Sequence, residues 1–320
     1  MEIFLTLLLI VIGFVLLING AHFLVEGASS LARKLSISQI AIGLTVISFG
    51  TSAPEFAVNV LAALAGDEEI IFGNIIGSNL MNLLLVLGVS SAIFPMAVKR
   101  NTLRKEIPFS LLAVIIFLIL VNDKIIDGVP ENVLTRSEGL ILLLFFNLFL
   151  VYVFKLPREN NDCCPEIRIY SSPRTGIYLA IGMIGLLGGG QLVERNAVNL
   201  ALQLGISHKL VGLTLVAGGT SLPELVTSVV AALKKRVDLA VGNVVGSNIF
   251  NIFFILGASS LISKLNYDAV LNIDAIILGV CTLFLLVALQ LRRKLLIERW
   301  IGVFFLIVYS GYFFYLVIRK

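Results

Sequence analysis

GLTVISFGTSAPE (43–55) and GNIIGSNLMN (73–82) recur 169 residues later as GLTLVAGGTSLPE (212–224) and GNVVGSNIFN (242–251). Each copy carries one glutamate, Glu55 or Glu224, inside a segment otherwise apolar enough to cross a membrane. A carboxylate placed in hydrocarbon costs about 2.5 kcal/mol or more, so an intramembrane carboxylate marks a functional site by default. Here there are two in matched positions, each next to a proline and near a glycine that interrupt a helix.

The composition agrees with a membrane setting. Of the 320 residues, 58% are hydrophobic and 14% charged, whereas a soluble domain carries about 25% charged residues. The fold class is an all-α, polytopic membrane protein. Cys163 and Cys164 are adjacent and Cys281 lies in an apolar span, so no disulfide framework is expected. Spaced zinc ligands are lacking as well. The first apolar run is long enough to span and has no basic flank before it, so no cleavable signal peptide is expected.

Apolar runs near the spanning length of about 20 residues predict ten helices. They fall at 3–25, 39–64, 70–95, 107–121, 138–154, 176–193, 209–233, 239–263, 270–290 and 300–318, with the second and seventh broken. Placing the N-terminus outside puts most Lys and Arg in the inner loops. These are Arg33 and Lys34; Lys99, Arg100, Arg104 and Lys105; Lys155, Arg158, Arg168 and Arg174; Lys234, Lys235 and Arg236; and Arg292, Arg293, Lys294 and Arg299. The outer turn between the second and third spans is acidic, with Asp67, Glu68 and Glu69. Localisation in the cell membrane with both termini extracellular follows. Five spans per copy is an odd number, so the second copy enters the membrane inverted, as in many secondary transporters. The chain divides into a first repeat (1–154, spans one to five), a cytoplasmic linker (155–175) and a second repeat (176–320, spans six to ten). The similarity continues upstream: LSISQIAIGLT (35–45) matches LGISHKLVGLT (204–214), and FLVEGASSLA matches QLVERNAVNLA after one insertion.

The repeated residues are oxygen-rich. Pro54 removes a backbone donor and Gly50 permits unwinding, which would free carbonyls that must find partners in hydrocarbon. Thr51 and Ser52 precede Glu55 by four and three residues, and a helix would project all three to one side. Thr220, Ser221 and Glu224 repeat the pattern. Asn74, Ser78 and Asn82 form one polar stripe, matched by Asn243, Ser247 and Asn251. Facing each other, the two copies make a cage of carboxylate, hydroxyl, amide and carbonyl oxygens. Calcium takes six to eight such ligands, and the absence of Cys and His argues against zinc, copper and iron. Simpler readings exist for each part. Gly73/Gly77 and Gly242/Gly246 are small-residue pairs that let helices pack closely, and Ser or Thr in membrane helices commonly bonds back to its own helix. The conjunction, repeated at a fixed offset, is what these readings leave unexplained. His22 and His208 fall near span ends without an evident partner.

These paired signatures resemble the two alpha-repeats of the calcium/cation antiporter superfamily, and within it the sodium/calcium exchangers and their prokaryotic relatives. The resemblance implies a ten-helix bundle that exchanges Na⁺ for Ca²⁺ by alternating access. It also implies roles for particular residues. Glu55 and Glu224 would be central calcium ligands shared with sodium. Thr51 and Thr220 would add carbonyls and oxygens. Ser52 with Ser247, and Ser221 with Ser78, would form flanking sodium sites, to which Ser48 and Ala217 lend carbonyls. Asn82 and Asn251 would line the centre. Some family members carry Asp where this chain has Asn251, which leaves two carboxylates here and weakens the case for K⁺ co-transport. Proton/calcium exchangers usually carry an acidic residue within the GN stretch, and 75–79 and 244–248 contain none.

Four other classes compete with this reading. A proton-coupled antiporter for calcium or another divalent cation differs only in the driving ion. A cation channel would need a continuous water path. An enzyme is disfavoured, since there is no HExxH motif and no convincing nucleophile–base pair. A purely structural protein would not need two matched carboxylates. No cofactor is expected, only Ca²⁺ and Na⁺ as bound, transported ions. The partners are these ions and the lipid bilayer, with no nucleic acid and no obligatory protein.

Overall fold

The structure, a computed structural model, describes residues 2–156, 167–204, 217–291 and 295–319. Its helices are α1 (Glu2–Leu35), α2 (Gln39–Thr51), α3 (Ala53–Ala65), α4 (Glu68–Ile93), α5 (Ile107–Leu120), α6 (Arg136–Phe154), α7 (Ser172–Gln203), α8 (Leu222–Leu233), α9 (Val237–Ile262), α10 (Asn272–Gln290) and α11 (Arg299–Ile318). Seven of them, α1, α4, α6, α7, α9, α10 and α11, are long and apolar enough to cross a bilayer, and α2 with α3 forms an eighth path bent by 50°. The expected seventh span lies partly outside the described residues, as do Cys163, Cys164, His208 and most of the expected linker. Of that span the structure shows a short turn, Ala217–Gly219, and α8.

The bilayer setting is written on the outside of the bundle. Exposed large apolar side chains follow one face of α1 (Phe4, Leu8, Val11, Val15), α7 (Ile177, Ile181, Ile184) and α11 (Val303, Ile307, Phe314). Such continuous apolar surface is satisfied by lipid and not by water. By contrast α9 is almost wholly buried and forms the centre of the molecule. It packs against α2, α6 and α8, while α4 packs against α3, α8 and α11. Two short antiparallel ladders clasp distant segments: Met96 opposite Ile297, and Val133 opposite Asn266.

The helix breaks fall two residues past Gly50 and Gly219. Ser52 (φ −84°, ψ 9°) ends α2 and precedes α3, and Ser221 (φ −90°, ψ 6°) stands at the same point before α8. Pro54 and Pro223 occupy the first turn of the new helix, where a missing N–H leaves nothing unmet. The glycines do another job: a β-carbon at Gly50 would lie 3.2 Å from Met183 Cε, and one at Gly219 2.5 Å from Glu194 Cγ. Nor does local polarity forecast the π-helical turns at Gly43–Ile47, Met81–Val86 and Phe250–Leu256.

Helices α1 and α7 are much longer than the expected spans 3–25 and 176–193, because apolar counting measures hydrocarbon thickness and a helix can continue past it. They lie against each other along a seam of glycines. A β-carbon at Gly20 would stand 2.7 Å from the Leu186 nitrogen, and one at Gly182 2.6 Å from the Leu24 nitrogen. Gly242 and Gly246 likewise admit α2 against α9, with Gly43 Cα and Leu44 Cα within 3.0 Å of such a carbon. At Gly73 and Gly77 no described residue comes within 4 Å; the segment at the matching repeat position is not among the described residues. Gly20→Val should therefore lower stability by about 1–3 kcal/mol through overpacking. Gly188→Ala, whose added carbon meets no described atom within 4 Å, should be neutral or stabilising. Thermal melts of the detergent-solubilised protein would separate the two, and equal effects would remove the seam's role in packing.

Candidate ion-binding site

Glu55 sits in the first turn of α3 and Glu224 in the first turn of α8. The unbonded N–H groups of a helix start favour a negative charge there. Both side chains are sealed from solvent, at 1% and 0% exposure. The two turns face each other, and each is served by the other's serine. Ser52 Oγ donates to Glu224 Oε1 at 2.9 Å, and Ser221 Oγ donates to Glu55 Oε1 at 3.2 Å. This exchange places two segments 169 residues apart in a common pocket.

Around the carboxylates lies a ring of buried oxygens. Thr51 Oγ1 donates to Asn243 Oδ1 at 3.0 Å and lies 3.3 Å from the Ser48 carbonyl. The Asn243 amide in turn donates to Ser228 Oγ at 3.0 Å. The carbonyl of Ser48 keeps its helical bond from the Ser52 N–H at 2.9 Å, so it is not set free by the break. Ser78 Oγ stands 3.5 Å from Asn74 Oδ1, at the limit of a hydrogen bond. Asn82 and Asn251 lie in the π turns of α4 and α9 and are fully buried. Ala217 opens the short turn before α8.

What distinguishes this region is the polar capacity left unused. Among the described residues, Glu55 Oε2, Glu224 Oε2, Thr220 Oγ1, Ser247 Oγ, Asn251 Oδ1 and both amide atoms of Asn82 are buried without a hydrogen-bond partner. An unmet buried polar atom normally costs about 1–3 kcal/mol. No Lys, Arg or His among the described residues pairs with either glutamate, although ion pairs occur elsewhere in the molecule. Unpaired buried carboxylates cost several kcal/mol each. The structure thus gathers Glu55, Glu224, Ser52, Ser221, Thr51 and Asn243 through direct bonds. Ser52 and Ser221 each donate to the opposite glutamate, whereas Ser78 stands against Asn74 and Ser247 Oγ has no hydrogen-bond partner among the described residues.

Two residues escaped the sequence reading. Asn79 Nδ2 donates to the Asn248 carbonyl and Asn248 Nδ2 to the Asn79 carbonyl, both at 3.3 Å, and Asn79 Oδ1 accepts from Asn251 Nδ2 at 3.0 Å. Their signal was the final Asn of the GSN triplet in both copies, but spacing on a single helix did not point it toward the glutamates. Thr227 Oγ1 and Asn59 Oδ1, one turn beyond the two glutamates, are also buried and unpartnered.

Apolar spans around a buried, oxygen-lined pocket with two carboxylates define a multi-pass membrane protein of the cation-antiporter class. The chain belongs to the sodium/calcium exchanger family: the model described as "Sodium/calcium exchanger protein" matches residues 5–155 and 175–318. It is 37% identical to the Alkalimonas amylolytica protein named "Putative antiporter CaxA", over 95% of this chain and 96% of that one. It is 28% identical to the sodium/calcium exchanger MaX1 of Methanosarcina acetivorans, over 95% and 96%. A solved structure of the sodium-calcium exchanger NCX_Mj superimposes with a TM-score of 0.84 at 33% identity, covering 96% and 97% of the two chains.

The central asparagines give a stability test. Asn79→Ala strands both the Asn251 amide and the Asn248 carbonyl, whereas Asn248→Ala strands only the Asn79 carbonyl. Denaturation should show the first costing about 2 kcal/mol and the second about half that, and the reverse order would contradict the bonding described.

Proposed function

We propose that this protein is a secondary active antiporter that exchanges Na⁺ for Ca²⁺ at a site between two inverted five-helix repeats. The carrying observation is the pair of buried glutamates from the two halves, with unmet oxygens around them and, among the described residues, no protein cation paired with them. A Ca²⁺ ion supplies two positive charges and accepts six to eight hard oxygens; two Na⁺ balance the same charge. Glu55 and Glu224 would be the shared ligands. Thr51, Thr220, Ser52, Ser221, Ser78 and Ser247 would add oxygens, Asn82 and Asn251 would line the centre, and Ser48 and Ala217 would contribute carbonyls.

The family and the exchanger named among its relatives favour this reading. The layout it carries is ten spans divided at 1–154, 155–175 and 176–320, in the cell membrane, with both termini outside. Because Ca²⁺ and Na⁺ need the same carboxylates, they exclude each other. The empty cage carries two uncompensated charges that cross hydrocarbon poorly, so only a loaded carrier changes sides readily, which makes exchange obligatory. The α1–α7 pair contributes none of the proposed ligands and is the body that moves over the rest. Coupling to H⁺ instead of Na⁺ is the competing reading, since the same unmet carboxylate oxygens could take up protons.

Uptake of ⁴⁵Ca²⁺ into proteoliposomes loaded with Na⁺ should exceed uptake without a Na⁺ gradient at fixed pH. Uptake driven only by a pH gradient would favour proton coupling, and uptake with neither gradient would indicate a channel. Glu55→Gln should abolish exchange while the protein still folds and elutes as the parent does; full activity would remove Glu55 from the site.

A further inference from the structure

The two halves are not equivalent in how the α1–α7 pair is tied to the rest of the molecule. The pair is itself a well-joined body. Beyond the glycine seam, Ser30 Oγ contacts Thr175 Oγ1 at 3.0 Å and accepts from the Tyr170 N–H at 3.0 Å. Arg33 donates to the Ile167 carbonyl at 3.1 Å and Lys34 to Ser172 Oγ at 2.8 Å. These bonds join the C-terminal end of α1 to the N-terminal end of α7.

One ion pair leaves this body for the core. Glu26 Oε1, on α1, lies 2.5 Å from Lys234 Nζ, on the residue that follows α8. Tyr170 OH donates to the other oxygen of Glu26 at 3.3 Å, holding the carboxylate in place. The pair is partly shielded, with side-chain exposures of 29% and 22%, and α1 runs along α8 beside it. A lysine just past a helix C-terminus is favoured there by the unbonded carbonyls, which explains a cation at 234 but not its partner on another helix.

The sequence repeat supplies the comparison. In the alignment of the two copies Glu26 corresponds to Glu194 and Lys234 to Ala65. At that opposite end the glutamate persists, packed against Gly219, but the position matching Lys234 is Ala65, which leads into Gly66, Asp67, Glu68 and Glu69. Among the described residues α7 has no contact with α3 comparable to that of α1 with α8. Among the described residues the ion pair and the longer helix contact both lie at the Lys234 end.

We propose that Glu26 and Lys234 form a releasable latch that biases the carrier toward the conformer closed at the Lys234 end, so that the ion site at rest faces the Asp67–Glu69 end. This rests on the α1–α7 pair being the moving body of the antiporter. A single partly shielded ion pair shifts such an equilibrium modestly, by about two- to fivefold in population. The asymmetry gives a protein built from two similar halves a preferred resting side.

Nitroxide labels at positions 35 and 233, with Cys163, Cys164 and Cys281 replaced by Ala, would report the distance between α1 and α8 by double electron–electron resonance in proteoliposomes in Na⁺ and in Ca²⁺. Glu26→Gln and Lys234→Gln should each raise the long-distance population about two- to fivefold, with ⁴⁵Ca²⁺ binding in detergent unchanged. The charge exchange Glu26→Lys with Lys234→Glu should bring the distribution back toward the parent. Unchanged distributions in both single variants, with intact exchange, would overturn the latch and leave the antiporter reading standing; so would a charge-exchanged protein no better than either single variant. A parent showing one distance under every ionic condition would overturn the moving body and the latch with it. Lys234 is partly exposed and outside the helix, so Lys234→Gln keeps the test available if Glu26→Gln impairs folding.

Discussion

Two carboxylates sealed from water, with no basic residue among the described ones to neutralise them, are the constraint on which the rest of this molecule depends. Leaving them so costs several kcal/mol each, yet the fold brings them together and crosses their hydrogen bonds, Ser52 to Glu224 and Ser221 to Glu55. Packing alone gives no reason to do this, because two apolar residues would fill the same space at lower cost. The expense becomes intelligible if the missing charge is supplied by a transported ion, and a site that is unfavourable when empty is also one that resists crossing the membrane empty.

The surrounding helices are arranged so that this region can exist in hydrocarbon at all. Backbone groups at a helix break must be satisfied internally. Here Ser52 N–H bonds the Ser48 carbonyl, Phe56 N–H the Ser52 carbonyl and Leu225 N–H the Ser221 carbonyl, and the prolines stand where no donor is needed. Among the described residues, most of the buried side-chain polar atoms without a partner lie on α3, α4, α8 and α9. The reciprocal amide bonds of Asn79 and Asn248 tie α4 to α9 at the middle of the bundle. Between α1 and α7, by contrast, the glycine seam brings the backbones together, and the polar ties described between them lie at the helix ends.

Near-symmetry with local exceptions is the second theme. The residues around the glutamates repeat closely, but the elements around them do not. Thr227 and Ser228 stand where the first copy has Val58 and Asn59, and Lys234 where it has Ala65. The first two differences lie beside the glutamates, where Ser228 accepts from Asn243; the third lies at the helix end, where Lys234 meets Glu26.

Much of this was legible in the chain itself, because it follows from composition and period. Apolar run lengths give a membrane protein, and the fixed 169-residue offset gives two related halves. A carboxylate in an apolar segment declares its own cost, so Glu55 and Glu224 could be singled out without coordinates. The tertiary structure alone decided who bonds to whom. Ser52 and Ser221 cross to the opposite glutamates, Asn79 and Asn248 join the halves, and Glu26 meets Lys234 across 208 residues. It also decided where helices bend and widen, at Ser52 in place of Gly50 and in the π turns holding Asn82 and Asn251. The physical reason is that spacing along one helix states which face a side chain takes. Which partner waits on that face depends on how separate helices pack, and no local pattern carries that information.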